Sequence, residues 1–298
     1  MQKVFNTNHL EPWHYSYVLE ENPFKQADEF IKDDKILVNT AKEIYKSMGW
    51  DIDNLPVTLD LFPKENKNSH AFSCGIDTNK DVRVLANLKN DTYSLEVLCH
   101  ELGHTVYDLG ISPKLPYLNR EPASYAMTEA VAKMMQTLYI KENLLQEKLG
   151  ISKDLAKQLK QYNLTNKANF IQRFVFLFKF EKALYENPDQ NIKKLWYNLS
   201  EKYEGIKSPQ KQHNEWCNIQ HFLSQPAYCQ NYLRADIMAE QLYLSSVKKL
   251  GQLTNNQNTA KHLQKLFKTG SLYPEAETLQ RFTGKPLNVE AYEDIFKK

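Results

Sequence analysis

Glycine is scarce, with nine residues in a chain of 298. Folds built from many short strands need tight turns that lean on glycine, so this shortage argues against an all-β architecture. Cysteine is equally sparse. Cys74, Cys99, Cys217 and Cys229 have neither the close pairing of a zinc ribbon nor the density of a disulfide scaffold. In a chain of this size they read as reduced thiols, which favours a cytoplasmic location. No apolar run approaches the roughly 20 residues that cross a bilayer, so no membrane partner is expected. The opening "MQKVFNTNHLEPWHYSYVLE" lacks the short apolar core of a signal peptide. Neither sign of charge dominates, at 38 Lys+Arg against 36 Asp+Glu. Without a basic excess or stripe, nucleic acid is not an expected partner.

What the chain does contain is enough apolar sequence for a sizeable core. Residues 24–49 carry a helical pattern that stops at Gly49. Three β-prone runs follow, "VTLDLF", "HAFSCGI" and "VRVLAN", separated by "PKENKNS" and "DTNKD". They read as three strands of a small, mostly antiparallel sheet. A helix from about Thr92 to Leu109 comes next, with Asp91 or Thr92 as its cap and Gly110 as its stop. Pro122 suits the first turn of another helix, expected to run to about Lys148. From Leu155 to Leu250 the pattern stays helical, broken at "ENPDQN" and "EGIKSPQKQHN".

The first of these long helices carries "HELGH". On a helix, positions i and i+4 share a face. His100 and His104 can thus bring two imidazole nitrogens to within about 2 Å of one ion, as zinc requires. Glu101 sits about 100° round the axis, too far for a third ligand and close enough to act on a water as general base. Gly103 leaves the helix bare where another backbone can approach. Catalytic zinc takes a third protein ligand from elsewhere. On the next helix Glu129 lies near a face made by Met127, Ala130, Val131, Met134 and Leu138. A carboxylate near a core needs a partner, and a metal ion is one; the alternative is a solvated helix flank. Asp108, one turn past His104, either orients a ligand histidine from behind or sits in water at the helix end.

H-E-L-G-H with "TEAVA" placing Glu129 twenty-five residues after the second histidine resembles the gluzincin metallopeptidases. Within them it is similar to the angiotensin-converting-enzyme-like peptidyl-dipeptidases and to thimet oligopeptidase and oligoendopeptidase F. "SHAFSCGID" resembles the strand that lines the substrate cleft in the converting-enzyme family. "HFLSQPAYCQNYLRAD" matches the H-F-x-x-x-P-x-Y-x-x-x-Y arrangement of oligoendopeptidase F, and "LEPWHYSYVLEENPF" also reads like family sequence.

The resemblance implies a mainly α, zincin-like metallopeptidase fold with the small sheet beside the metal helix. It implies one Zn2+ ion held by His100, His104 and Glu129, with Glu101 as the base. His221 and Tyr232 would face the oxyanion, Tyr228 would help hold substrate, and His70 and Ala71 would line the cleft. Taken from their residues alone, His221 and the tyrosines are equally readable as packing groups. The expected organisation is a single catalytic domain over 1–298, with sheet and metal helices at about 50–150 and a helical substrate-binding part at about 151–298. Family members are usually nearly twice as long, and the helical half that roofs their channel precedes the part matched here. A second copy or a partner chain covering the open cleft is therefore an expectation. Two positions depart from the converting-enzyme pattern: Lys133 replaces an aspartate four residues after the third ligand, and Ile219 replaces a lysine two before the downstream histidine. The implied function is hydrolysis of short oligopeptides, as an oligopeptidase or peptidyl-dipeptidase. The alternatives are a zinc-binding remnant that binds peptides but turns them over weakly, and a metallocarboxypeptidase.

Overall fold

A computed structural model describes residue 11, residues 22–77 and residues 79–297. His9, Trp13, His14 and most of the opening family-like stretch lie outside these residues. The described residues form two compact units, one made of residues 24–160 with 234–297 and the other centred on residues 161–233. Each has its own apolar core. The expectation is one domain whose helical part runs from about 151 to 298; the helices from 234 onward group instead with the metal helices.

The expected helix over 24–49 is two, α1 (Phe24–Asp28) and α2 (Asp34–Ser47). Asp33 causes the break. Its extended backbone and its side chain, which accepts from the Ile36 amide at 2.8 Å, make it the N-cap of α2. Strands β1 (Val57–Asp60), β2 (Phe72–Asp77) and β3 (Asp81–Leu85) follow. Val82 and Val84 point into the core and Arg83 points out, the period of two expected of a half-buried strand.

The small sheet beside the metal helix is present, but it is mixed rather than mostly antiparallel. Its order is β1-β3-β2, with β3 antiparallel to β2 and parallel to β1. The physical reason is connection length. β2 and β3 are joined tightly enough to form a hairpin, with Asn79 in the left-handed region. The long stretch 61–71 lets the chain pass from β1 to the far side of β3.

Helix α3 (Thr92–Gly110) matches its expected span. The Asp91 carboxylate caps it by accepting from the Ser94 amide at 2.7 Å. At the other end Asn79 Nδ2 donates to the Leu109 carbonyl at 2.6 Å, tying the hairpin to the last turn. Leu95, Leu98, Cys99, Leu102 and Val106 form its buried stripe. Helix α4 (Tyr125–Lys141) starts later and ends sooner than the proline suggested. Ser124 is the true cap, accepting from the Met127 amide at 3.0 Å. Asn143 adopts φ 60° and separates α4 from the short α5 (Leu144–Leu149).

The remaining helices are α6 (Lys153–Glu186), α7 (Ile192–Glu204), α8 (Gln220–Ser224), α9 (Cys229–Leu250), α10 (Asn258–Phe267), α11 (Glu275–Thr283) and α12 (Glu290–Glu293). In the second unit Phe176 and Phe180 pack edge-on against Trp196 at 4.6 and 4.9 Å. In the first, α3 and α4 cross closely. A Cβ added at Gly103 would lie 2.8 Å from the Ala132 Cα and 3.3 Å from the Met135 Cβ. The glycine is there because the α4 backbone occupies the space a side chain would need.

Gly103→Ala must therefore push the two helices apart. Overpacking of this kind costs about 1–3 kcal/mol. Thermal unfolding should show a fall of several degrees relative to the wild type. An unchanged midpoint would mean that the helices do not meet at this position.

Candidate metal centre

His100 and His104 lie on consecutive turns of α3, with their Nε2 atoms 3.1 Å apart. Ligand atoms around a tetrahedral ion with bonds of 2.0–2.1 Å stand about 3.3 Å apart, so the pair is already at ligand spacing. Glu129 enters from α4. Its Oε2 is 3.5 Å from His100 Nε2 and its Oε1 is 4.0 Å from His104 Nε2. One ligand atom from each of the three residues fits within a span of 4.8 Å.

The other face of each ring is fixed. His104 Nδ1 meets the Thr128 hydroxyl at 2.7 Å. His100 Nδ1 meets Gln136 Oε1 at 2.8 Å. The Gln136 amide nitrogen donates to Glu96, which turns the amide oxygen towards His100. A carbonyl oxygen only accepts, so His100 carries its proton on Nδ1 and leaves an Nε2 lone pair facing His104. Glu96 also accepts from Tyr139 Oη at 2.9 Å. This chain from Tyr139 through Glu96 and Gln136 to the ring is the outer support that ligand histidines require.

Electrostatics makes a proton a poor occupant. Burial, then the neighbouring His104, holds the His100 pKa well below its ordinary value. Burial brings His104 down to about 4. Both rings are therefore neutral near pH 7, so their approaches to Glu129 are not salt bridges. Glu129 Oε2 is buried and has no hydrogen-bond partner. The His100 Nε2 lone pair and an orphaned carboxylate oxygen together call for a cation. The donor set of two imidazoles and one carboxylate is that of a catalytic zinc.

Glu101, at 6% exposure, is buried beside these groups. Burial, then the Glu129 charge, pushes its pKa up to about 8, against the lowering effect of the Ser73 amide. Thr105 Oγ1 donates to the Glu101 carbonyl at 2.9 Å and lies 3.1 Å from Ser73 Oγ, so β2 is pinned to the metal helix at this turn. Lys133, one turn beyond Glu129 on α4, places its Nζ 3.7 Å from Asp236 Oδ1. Its charge lowers the Glu129 pKa, which burial raises.

Not every expected residue takes the expected place. Asp108 does not orient a ligand histidine, because Thr128 and Gln136 hold both Nδ1 atoms. Its carboxylate turns instead towards β2, with Oδ2 3.5 Å from where a Cβ on Gly75 would be. His70 is exposed just ahead of β2, its amide bonded to Asn68 Oδ1 at 2.9 Å, and Ala71 packs on the core. In the second unit His221 Nε2 and Tyr232 Oη are 3.3 Å apart. The His221 and Tyr228 rings stack at 6.1 Å and the two tyrosine rings meet edge-on at 5.2 Å, so these three form one cluster. Thr128, Gln136 and Glu96 escaped the sequence analysis. Their spacing was a usable signal: Glu96 lies four before His100, and Gln136 lies seven after Glu129, each on the face of its ligand.

A family model described as peptidase family M3 matches residues 57–298. No curated protein matches the sequence. Among solved structures, one described as "The Structure of CHT" superposes with a TM-score of 0.69 at 19% identity, over 89% of this chain. The chain spans 58% of the length of that structure. At this identity the likeness establishes the helical fold.

Replacing Gln136 with Leu should leave the fold intact and weaken zinc affinity by about 10- to 100-fold, as removal of outer support does. Competition with a chelating dye measures this, and unchanged affinity would remove Gln136 from the account. A second prediction concerns pH. Burial, then Glu121, raises the Asp108 pKa to about 7, above the ordinary carboxylate range. Folding thus favours the protonated form. The stability it contributes is complete below about pH 4 and is lost as pH rises through about 7. Asp108→Asn stays neutral and should flatten that part of the decline in zinc-free protein, as read by urea unfolding at several pH values. An identical pH profile would show that Asp108 ionises freely.

Proposed function

This chain belongs to peptidase family M3, and on that footing we propose that it is a zinc peptidase that hydrolyses short oligopeptides. His100, His104 and Glu129 are its metal ligands and Glu101 is its general base. The observation that carries this reading is the buried, partnerless Glu129 Oε2 beside two Nε2 atoms 3.1 Å apart.

When bound, the ion supplies the Lewis acidity that activates water and polarises a carbonyl. The protein's own groups do the rest. Glu101 takes a proton from the attacking water and returns it to the leaving amine. Its pKa of about 8 reflects burial, and a cation in the adjacent site opposes that effect and favours the carboxylate. Gln136 and Thr128 keep the ligand rings in one orientation through the cycle. His221 and Tyr232 are assigned, by the family resemblance, to donate to the carbonyl oxygen as it gains charge, and their mutual contact supports a shared role. The choice between internal cleavage and dipeptide release rests on the fragments left from a defined decapeptide. Single released residues would instead mark a carboxypeptidase.

The test is cleavage of a quenched short peptide by protein reconstituted with zinc. Glu101→Gln should keep its zinc and lose nearly all turnover. Tyr232→Phe should keep its zinc and lose about 10²- to 10³-fold in kcat. Cleavage that survives both Glu101→Gln and a chelator would overturn this reading. Zinc binding with no turnover in the wild type would leave a peptide-binding protein that lacks catalysis.

A further inference from the structure

The turn that joins α8 to α9 holds a backbone conformation that its sequence does not favour. Pro226 and Ala227 are its central residues, and the Tyr228 amide closes it by donating to the Gln225 carbonyl at 3.2 Å. Ala227 has φ 59°. A proline followed by a residue of positive φ is the pattern of a type II turn, where glycine or asparagine is the usual choice. The alanine Cβ makes this conformation costly, so a group outside the turn must hold it.

Glu181 on α6 is that group. It is 3% exposed, and its Oε1 accepts from the Ala227 N–H at 2.6 Å and from Tyr185 Oη at 3.3 Å. A bond from a backbone N–H to a carboxylate is charge-assisted and belongs to the stronger class. Burial, then the Glu181 charge, pushes the Cys229 thiol up to about 11, so that charge is felt at the first residue of α9. The bond also has a direction. Turns of types I and II differ by a rotation of the central peptide through about 180°. In the other turn the Ala227 N–H would point away from Glu181 and leave a buried carboxylate oxygen without its closest donor.

Both arms of this turn lead into the cluster of His221, Tyr228 and Tyr232. On one arm the His221 carbonyl accepts from the Gln225 amide at 2.9 Å. On the other, Tyr228 follows Ala227 directly, and Tyr232 lies one helical turn further on. Phe174, also on α6, packs on the Tyr232 ring at 5.4 Å, so the helix that holds the turn also backs the cluster. We propose that Glu181 is a positioning residue: by holding the Pro226–Ala227 peptide in one orientation it sets Tyr228 and Tyr232 against His221. It acts through the backbone of the turn. Its consequence for turnover rests on the roles proposed above for His221 and Tyr232.

The experiment uses the full chain and the variant Glu181→Met, which removes the acceptor at nearly constant side-chain length. In NMR spectra the wild-type Ala227 amide proton should lie far downfield and exchange slowly with solvent. The variant should lose both features and shift the His221 ring signals. In cleavage of the quenched peptide its kcat should fall about tenfold, with KM within about twofold and zinc affinity unchanged. Adding Ala227→Gly should recover most of kcat, because glycine takes positive φ without strain; a general loss of packing would not be repaired in this way. Ala227→Val keeps the carboxylate but opposes positive φ, so it should reproduce the losses even if Glu181→Met fails to fold. Ala227 and His221 signals that neither variant moves would overturn the proposal, as would a kcat loss that Ala227→Gly leaves in place. Full activity in Tyr232→Phe would instead remove the proposed roles of His221 and Tyr232, and the NMR signals would still decide whether Glu181 positions the cluster.

Discussion

The crossing of α3 over α4 is the constraint on which the metal centre depends. Gly103 lets the Ala132 backbone come within the space of a missing Cβ. That approach lets a carboxylate on one helix reach imidazoles on the other. Each helix contributes a polar stripe at helical spacing: Glu96, His100 and His104 on α3, and Thr128, Glu129 and Gln136 on α4. The close approach sets these stripes face to face. A wider crossing would leave Glu129 beyond reach, whatever the local sequence.

Such a cluster is costly without an ion. Glu96, Glu101 and Glu129 all have their pKa values raised by burial, and both histidines are held neutral. The protein has kept these groups inside a tightly packed helix pair and left one carboxylate oxygen without a partner. A cation bound there would add to the stability of this unit, because it would satisfy what folding buries. Lys133 contributes to the same balance from one turn beyond Glu129. It supplies a positive charge, paired with Asp236.

Much of this was legible in the sequence because it depends on local periodicity. Histidines four apart on an amphipathic stretch identify a shared face, and α3 follows from its apolar stripe, its aspartate cap and its terminal glycine. Glu129 was visible because it sits beside a run of core residues. What stayed hidden depends on the approach of distant segments. Nothing near His100 in the chain points to Gln136, and only the crossing makes them neighbours. Asp108 looked like outer support because it lies one turn from His104, yet its side chain leaves the helix towards β2. The parallel pairing of β1 with β3 is likewise a matter of how a long connection travels. The breaks at Asp33 and Asn143 are local, but a helical apolar pattern running through them masked a cap and a left-handed residue.

The central claim is that one cation is held jointly by two imidazoles of α3 and a carboxylate of α4. X-ray absorption at the zinc edge of reconstituted protein tests it most directly. The account predicts one zinc per chain, with multiple-scattering features of two imidazoles and a nitrogen or oxygen shell near 2.0–2.1 Å that loses its carboxylate component in Glu129→Ala. A zinc shell without imidazole scattering, or a spectrum that Glu129→Ala leaves unaltered, would contradict it.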